Sequence, residues 1–433
     1  MKRFQSPKSE PPCTPPKSHG GWGILSGKNK SFRACGLTYL FAALLLLIHP
    51  AIISAGEMKV LQTLIGKNDS VIVADPQGNI LIEKNSTHKR IPASTLKILT
   101  SLAVMHYLGP DYRFYTDFYL DPKNNLKVKG YGDPLLISEV IDDIARKLSE
   151  KLTACHDLLL DDSYFQHPII IPGVTDSFQP YDAPNGALCV NFNTVYFRRL
   201  KFGTYISAEP QTPLLPFVLP RIKASALKSE RIILSVNNKE NIYYTGHLLN
   251  FFLNQNGIRS TGEIKLSEVD PVHDRLILRY VSPYPLEQVV RKLLEFSNNY
   301  IANQIMIACG ADRYGTPGTL PKGTRVLSSY LRDTFHVKEI DFAEGSGISR
   351  DNRMSAKTLL KVLDKFTPYH HLLRKKEREY YKTGNLTGVS TRAGYIENDK
   401  GDLYRFVVFI NSPGKSTRPV MDYIHDLITL SAD

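Results

Sequence analysis

Beyond its first 55 residues the chain carries only three cysteines, Cys155, Cys189 and Cys309. An odd count excludes a fully paired disulfide framework, and the spacing matches no zinc site. Two readings stand: Cys155 pairs with Cys189 in an oxidising compartment, or all three are small buried hydrophobes. There is no H-E-x-x-H sequence, the mark of a helical zinc peptidase, and no G-x-S-x-G elbow to support a His-based hydrolase. His106, His156, His370, His371 and His425 therefore read as surface or core residues. After residue 56 no basic run is interleaved with aromatics, so nucleic acid is not an expected partner. Half of the formal net charge of +12 sits in the first 55 residues, where seven Lys and Arg face Glu10 alone. The mild remainder suits an anionic polymer or membrane face.

Long apolar runs are also missing, with one exception. Leu37 to Ile48 is uncharged, follows a basic tail (Lys2 to Arg33) and exits through Ile53-Ser54-Ala55. Basic start, short apolar run and small-residue exit read as a secretory signal. The run is short for the roughly 30 Å of bilayer hydrocarbon. His49 and Pro50 interrupt its continuation, so cleavage near Ala55 is favoured over a permanent anchor. The unusually long leader leaves membrane association through an uncleaved segment as the alternative. Either reading exports the protein, to the periplasm or the cell envelope.

What remains has the pattern of an α+β protein. Glu57–Ile65 has helical spacing. Val71–Ala74 and Ile80–Ile82 are strands around the turn-rich Asp75-Pro76-Gln77-Gly78-Asn79. Leu96–Leu108 is a mostly apolar helix ended by Gly109-Pro110. At the other end, Ala393–Ile396 and Tyr404–Ile410 form a second hairpin, and Arg418–Leu430 an amphipathic helix. Both chain ends thus build one antiparallel α+β domain, 56–112 with 283–433. Between them, 113–282 reads as an inserted, mostly-β domain with strands at Phe114–Leu120, Asn125–Gly130, Leu158–Asp161, Val190–Phe197, Ile232–Val236 and Leu276–Val281.

Three short motifs stand in order: Ser94-Thr95-Leu96-Lys97, Ser297-Asn298-Asn299 and Lys382-Thr383-Gly384. A serine and a lysine three apart share one helix face, and burial of the helix lowers the lysine pKa until it can take a hydroxyl proton. Only Ser94 has a helix after it. The same S-x-x-K spacing at Ser86–Lys89 lies in a polar link, and Ser225–Lys228 leads into a strand. Taken alone, Ser94 is better read as a helix N-cap and Lys382 as one more exposed base. Ser-Asn-Asn falls inside the helical pattern Leu293–Cys309, where such side chains compete with backbone hydrogen bonds. The functional reading gives Ser297 a proton relay to a leaving amine and Asn299 a hydrogen bond to Lys97 and the substrate amide. Lys382 supplies positive field, Thr383 a hydroxyl for a terminal carboxylate, and Gly384 room for a substrate backbone. The N–H groups of Ser94 and Asn385 complete an oxyanion hole.

In this order the motifs are the signature set of penicillin-binding proteins and serine β-lactamases. The chain resembles the D-Ala-D-Ala carboxypeptidases of the penicillin-binding protein 4 type, peptidase family S13. Gly130-Tyr131-Gly132-Asp133-Pro134-Leu135, Asp161–Phe165, Tyr181-Asp182-Ala183-Pro184, Gly345–Arg353 and Lys382–Tyr395 are similar to that family's landmarks. The 203-residue spacing from Ser94 to Ser297 fits an extra domain between them, whereas class A β-lactamases have a far shorter gap. The resemblance implies a transpeptidase/β-lactamase-like catalytic domain, no metal and no cofactor, substrate contacts from Thr383, Gly384, Asn385 and Ser346, and covalent capture of β-lactams. The implied substrates are peptidoglycan stem peptides, with D-Ala–diaminopimelate cross-links cut by some members. Asn385 departs from the family's usual Thr or Ser, and Glu344 from its Asp, the milder change. A β-lactamase and a non-catalytic wall-binding scaffold are the rival readings. Intact Ser94, Lys97, Ser297, Asn299 and Lys382 argue against the scaffold.

Overall fold

The computed structural model describes residues 63–338 and 342–430. The leader and most of the expected Glu57–Ile65 helix lie outside these residues. In chain order the main elements begin with strands β1 (Ser70–Ala74) and β2 (Ile80–Lys84) and helix α1 (Leu96–Leu108). Next come β3 (Arg113–Leu120), β4 (Leu126–Gly130), α2 (Ser138–Ser149), β5 (Leu158–Asp161), β6 (Thr194–Arg199), β7 (Tyr205–Ser207) and β8 (Ser229–Ile233). The chain continues through α3 (Asn238–Gln255), β9 (Ile264–Leu266), β10 (Arg275–Pro285), α4 (Leu286–Phe296), α5 (Asn299–Tyr314), α6 (Leu320–Phe335) and α7 (Ala356–Phe366). It closes with β11 (Arg374–Lys376), β12 (Glu379–Leu386), β13 (Val389–Glu397), β14 (Leu403–Ile410) and α8 (Arg418–Leu430).

Both chain ends meet in one antiparallel sheet of order β11-β12-β13-β14-β1-β2. All five residues of β1 are buried, so the sheet is covered on both faces. Alternation along the strand sorts them. Val71 and Val73 join the cluster under α8, with Phe406, Val408 and Ile424. Ile72 and Ala74 join the larger cluster built on α1 and α4–α7. Every residue of α1 from Leu96 to Met105 is buried, so this helix runs through the middle of that layer. The expected hairpins and the α+β architecture are present.

Beyond a two-stranded pairing of 154–155 with 259–260, residues 113–285 hold two further sheets. One is mixed, in the order β9-β5-β4-β3-β10, and the other antiparallel, β8-β6-β7. Helices α2 and α3 lie beside these strands and pack together over a second core that runs from Phe118 to Tyr280. The spacing of Val140, Ile141, Ile144 and Leu148 does mark α2 as amphipathic. In α3, Tyr243, Tyr244, Phe251 and Phe252 surround Gly246, a composition with weak helix preference, so packing rather than propensity makes it a helix. The strand expected from Val190 starts at Thr194 instead. Asn191, Phe192 and Asn193 all have positive φ, from 49° to 61°, and form a tight turn before it. Cys155, Cys189 and Cys309 are buried and unpaired.

Candidate active site

Ala93–Thr95 makes one 3-10 turn that runs straight into α1, so Ser94 stands a turn before Lys97. Ala93, just before the serine, has φ +46°, a strained value for a residue with a Cβ. Ser94 keeps some exposure, while Lys97 has none. The Lys97 Nζ lies 2.9 Å from Ser94 Oγ, 2.8 Å from Asn299 Oδ1 and 2.6 Å from the Ser346 carbonyl oxygen. Burial pushes the Lys97 pKa well below the ordinary lysine value, and the charge of Lys382 adds to this. The carboxylate of Glu344 works in the opposite direction.

The Ser-Asn-Asn segment breaks the helical pattern in which it sits. Helix α4 stops at Phe296, Ser297 takes a left-handed conformation with φ +53°, and α5 starts at Asn299. The Asn298 side chain caps α5 by accepting from Ile301 N at 3.0 Å. The break turns Ser297 and Asn299 to the same cleft. Asn299 donates through Nδ2 to the Tyr181 carbonyl at 3.2 Å, which leaves its Oδ1 to accept from Lys97.

The third motif lies on β12. Lys382 is 4% exposed and donates to Ser297 Oγ at 2.7 Å and to the Thr383 carbonyl at 2.8 Å. Burial lowers its pKa to about 8. The three motifs are therefore linked by direct hydrogen bonds.

Gly384 has a use beyond the substrate room expected of it, because β12 runs against the nucleophile turn. A Cβ at Gly384 would come 2.5 Å from Ser94 N and 2.8 Å from the Ala93 Cβ. On the other side, a Cβ at Gly347 (φ +84°) would come 1.9 Å from the Ala93 carbonyl oxygen. Thr391 on β13 donates to the Pro92 carbonyl at 2.8 Å. The turn carrying Ser94 is thus clamped between two backbone segments.

Thr383 is half-buried on β12 and Asn385 is exposed near its end. Ser346 is placed differently from the expected substrate contact. It has no exposed surface, and it reaches the site through its carbonyl oxygen, which accepts from Lys97. The other two S-x-x-K copies stay apart from the cleft motifs. Ser86 donates to Glu83, and Ser225 ends a short helix.

Sequence reasoning passed over Glu344, treating it as a mild departure. It is fully buried and accepts from the N–H groups of Ser346, Gly347 and Ser349, and from the amides of Asn303 and Asn352. Asn303 lies one turn beyond Asn299 on α5, and that i, i+4 spacing was the available signal. Beside Ser297 and Asn299 opens a cavity of about 660 Å³, lined by Tyr181, Phe192, Tyr284 and Phe296 among others.

The model of the D-Ala-D-Ala carboxypeptidase 3 (S13) family matches residues 58–209 and 222–378. The D-alanyl-D-alanine carboxypeptidase DacB of Haemophilus influenzae is 24% identical over 404 residues, covering 77% of this chain and 83% of that protein. A D-alanyl-D-alanine carboxypeptidase of Actinomadura sp. strain R39 is 23% identical over 435 residues, covering 82% and 79%. The crystal structure of penicillin binding protein 4 from Haemophilus influenzae superposes with a TM-score of 0.67 at 20% identity. It covers 86% of this chain and 99% of that one, a likeness of fold. With a family match running over most of its length, the chain belongs to the D-Ala-D-Ala carboxypeptidase 3 (S13) family.

Proposed function

We propose that this chain is a serine D-Ala-D-Ala carboxypeptidase that acts on peptidoglycan stem peptides and is covalently acylated by β-lactams. The partners of Lys97 carry the reading. A neutral amine has two N–H groups and one lone pair. Asn299 Oδ1 and the Ser346 carbonyl can only accept, so they take both N–H groups. The lone pair is left for the Ser94 hydroxyl, 2.9 Å away. That is the geometry of a base beside its nucleophile.

In the proposed cycle the Ser94 proton passes to Lys97, and Oγ attacks the carbonyl carbon of the penultimate D-Ala. The N–H groups of Ser94 and Asn385 hold the resulting oxyanion. The C–N bond breaks, and the leaving amine takes a proton through Ser297, which Lys382 keeps oriented. Lys382 and Thr383 receive the terminal carboxylate, and Asn299 binds the substrate amide. Water then hydrolyses the ester. Cleavage of D-Ala–diaminopimelate cross-links belongs to the same reading, and the cavity beside Ser297 gives the bulkier leaving group room.

Residues 56–112 and 283–433 form the catalytic domain in this proposal, with 113–282 as the insert that walls the cleft at Tyr181. The protein is exported to the periplasm or cell envelope, with the leader as cleaved signal or membrane anchor. Among the described residues no helix is long and apolar enough to cross a membrane.

The test is labelling with fluorescent penicillin, for wild type and Ser94→Ala, alongside D-Ala release from a muropeptide. Ser94→Ala is expected to lose both. Labelling that survives in Ser94→Ala refutes the assignment, and labelling of wild type without D-Ala release refutes the substrate.

A further inference from the structure

Two peptide groups of the loop after Glu344 face both ways. The peptide between Ser346 and Gly347 donates its N–H to Glu344 Oε1 at 2.6 Å, while its carbonyl accepts from Lys97 Nζ at 2.6 Å. The preceding peptide, between Gly345 and Ser346, repeats the arrangement. Its N–H reaches Glu344 Oε2 at 2.6 Å, and its carbonyl accepts from Thr100 Oγ1, three residues after Lys97, also at 2.6 Å. One buried carboxylate therefore grips the back of two peptide units whose fronts hold the nucleophile helix. Glu344 has no salt bridge among the described residues; all its partners are N–H groups. Its charge faces backbone and side-chain amide dipoles rather than a cation.

We infer that Glu344 is a positioning residue for the base: through the Ser346–Gly347 peptide it holds and polarises the carbonyl that aims the Lys97 lone pair at Ser94. This rests on the proposed role of Lys97 and adds a residue to it. An amide whose N–H donates to a carboxylate has a more negative carbonyl oxygen, because hydrogen bonds in a chain polarise one another. That oxygen occupies one of the two N–H groups of neutral Lys97, and it steadies the ammonium formed when Lys97 takes the serine proton. The charged groups that act on Lys97 are Lys382 across the cleft and Glu344 behind the loop.

Glu344→Gln keeps the size but puts an NH2 against at least two N–H donors, and it removes the charge. Glu344→Asp keeps the charge and shortens the reach by one methylene. Thr100→Val loosens the loop at Gly345 without touching the carboxylate. The readout is the second-order rate of acylation by fluorescent penicillin from pH 5 to 9 on the full chain, with Ser94→Ala as the reference. Glu344→Gln is expected to acylate about ten- to a hundredfold more slowly, the range that a small misplacement of reacting groups produces. Its acidic limb moves to lower pH, because the ammonium of Lys97 has lost both a nearby negative charge and a polarised acceptor. Glu344→Asp keeps the wild-type limb and recovers most of the rate, and Thr100→Val slows acylation with the limb in place. Wild-type rate and limb in Glu344→Gln overturn the inference. So does a slow Glu344→Gln with an unmoved limb, or Glu344→Asp as slow as Glu344→Gln, since each marks the residue as a plain loop brace. If Glu344→Gln does not fold, the limb and rate of Glu344→Asp decide alone. Labelling of Ser94→Ala would sink the serine assignment itself, which is a separate failure.

Discussion

Lys382 lets the energetic cost of the cleft be read directly. Its amine is buried with a pKa of about 8, against 10.5 for a free lysine. The unfolded chain therefore binds this proton more tightly than the folded one, and stability must rise with pH across the interval between the two values. The penalty is full below about pH 8 and fades as pH approaches 10.5. At about 1.4 kcal/mol per unit, it amounts to about 3 kcal/mol at pH 7 and about 1 kcal/mol at pH 9.5. Lys382→Met keeps the length and removes the titration. The hydrogen bonds to Ser297 and Thr383 are lost at both pH values, so their contribution largely cancels from the comparison. The stability of Lys382→Met relative to wild type should fall by about 2 kcal/mol between pH 7 and 9.5. Urea unfolding followed by circular dichroism at the two pH values measures it. A difference that does not change with pH would refute the claim that burial, and not a local contact, sets this lysine's charge.

Other consequences are quicker to state. Wild-type acylation should be bell-shaped in pH, since Lys97 must be neutral and Lys382 charged, with the alkaline limb near the Lys382 value of about 8. A stopped-flow series of penicillin acylation checks it. Gly384→Ala places a methyl 2.5 Å from Ser94 N, so β12 or the nucleophile turn must shift, and acylation should fall by about a hundredfold or more. Asn385→Thr changes an exposed side chain, so stability should stay within about 0.5 kcal/mol by urea unfolding. The added hydroxyl should lower KM for peptides ending in a free carboxylate, measured by D-Ala release.

Much of the site could be read from sequence because it rests on short-range rules. The three-residue spacing of Ser94 and Lys97 becomes a 2.9 Å contact as soon as a helix forms. The polar trio at 297–299 announces a break by its composition, although only the structure shows that the break turns Ser297 toward Lys382. Glu344 was opaque for a physical reason. Its partners include three backbone N–H groups of its own loop, which every sequence possesses, and its effect on Lys97 passes through a carbonyl, which no side-chain pattern records. Ser346 was expected as a substrate contact, and its carbonyl oxygen accepts from Lys97. The tight turn at Asn191–Asn193 displaced a strand, because three successive positive φ values cannot be inferred from apolar alternation around them.

The two lysines also explain each other. Both sit in one cleft, and the charge of Lys382 is among the causes that depress Lys97. Lys97 is the more buried of the two, and Lys382 keeps a pKa of about 8. A proton on Lys382 makes one on Lys97 harder to add. In the proposed chemistry one lysine serves as an ammonium for a carboxylate and the other as an amine for a hydroxyl proton, although the residue type is the same. Environments that push two like groups apart are what assign acid and base roles in a shared site. Glu344, behind Lys97 and raising its pKa, sets a floor to that depression. Without it the amine would be neutral over a wider pH range and a poorer base within it. The proposed chemistry thus depends on a balance among three buried ionisable groups, two of which never need to touch the serine.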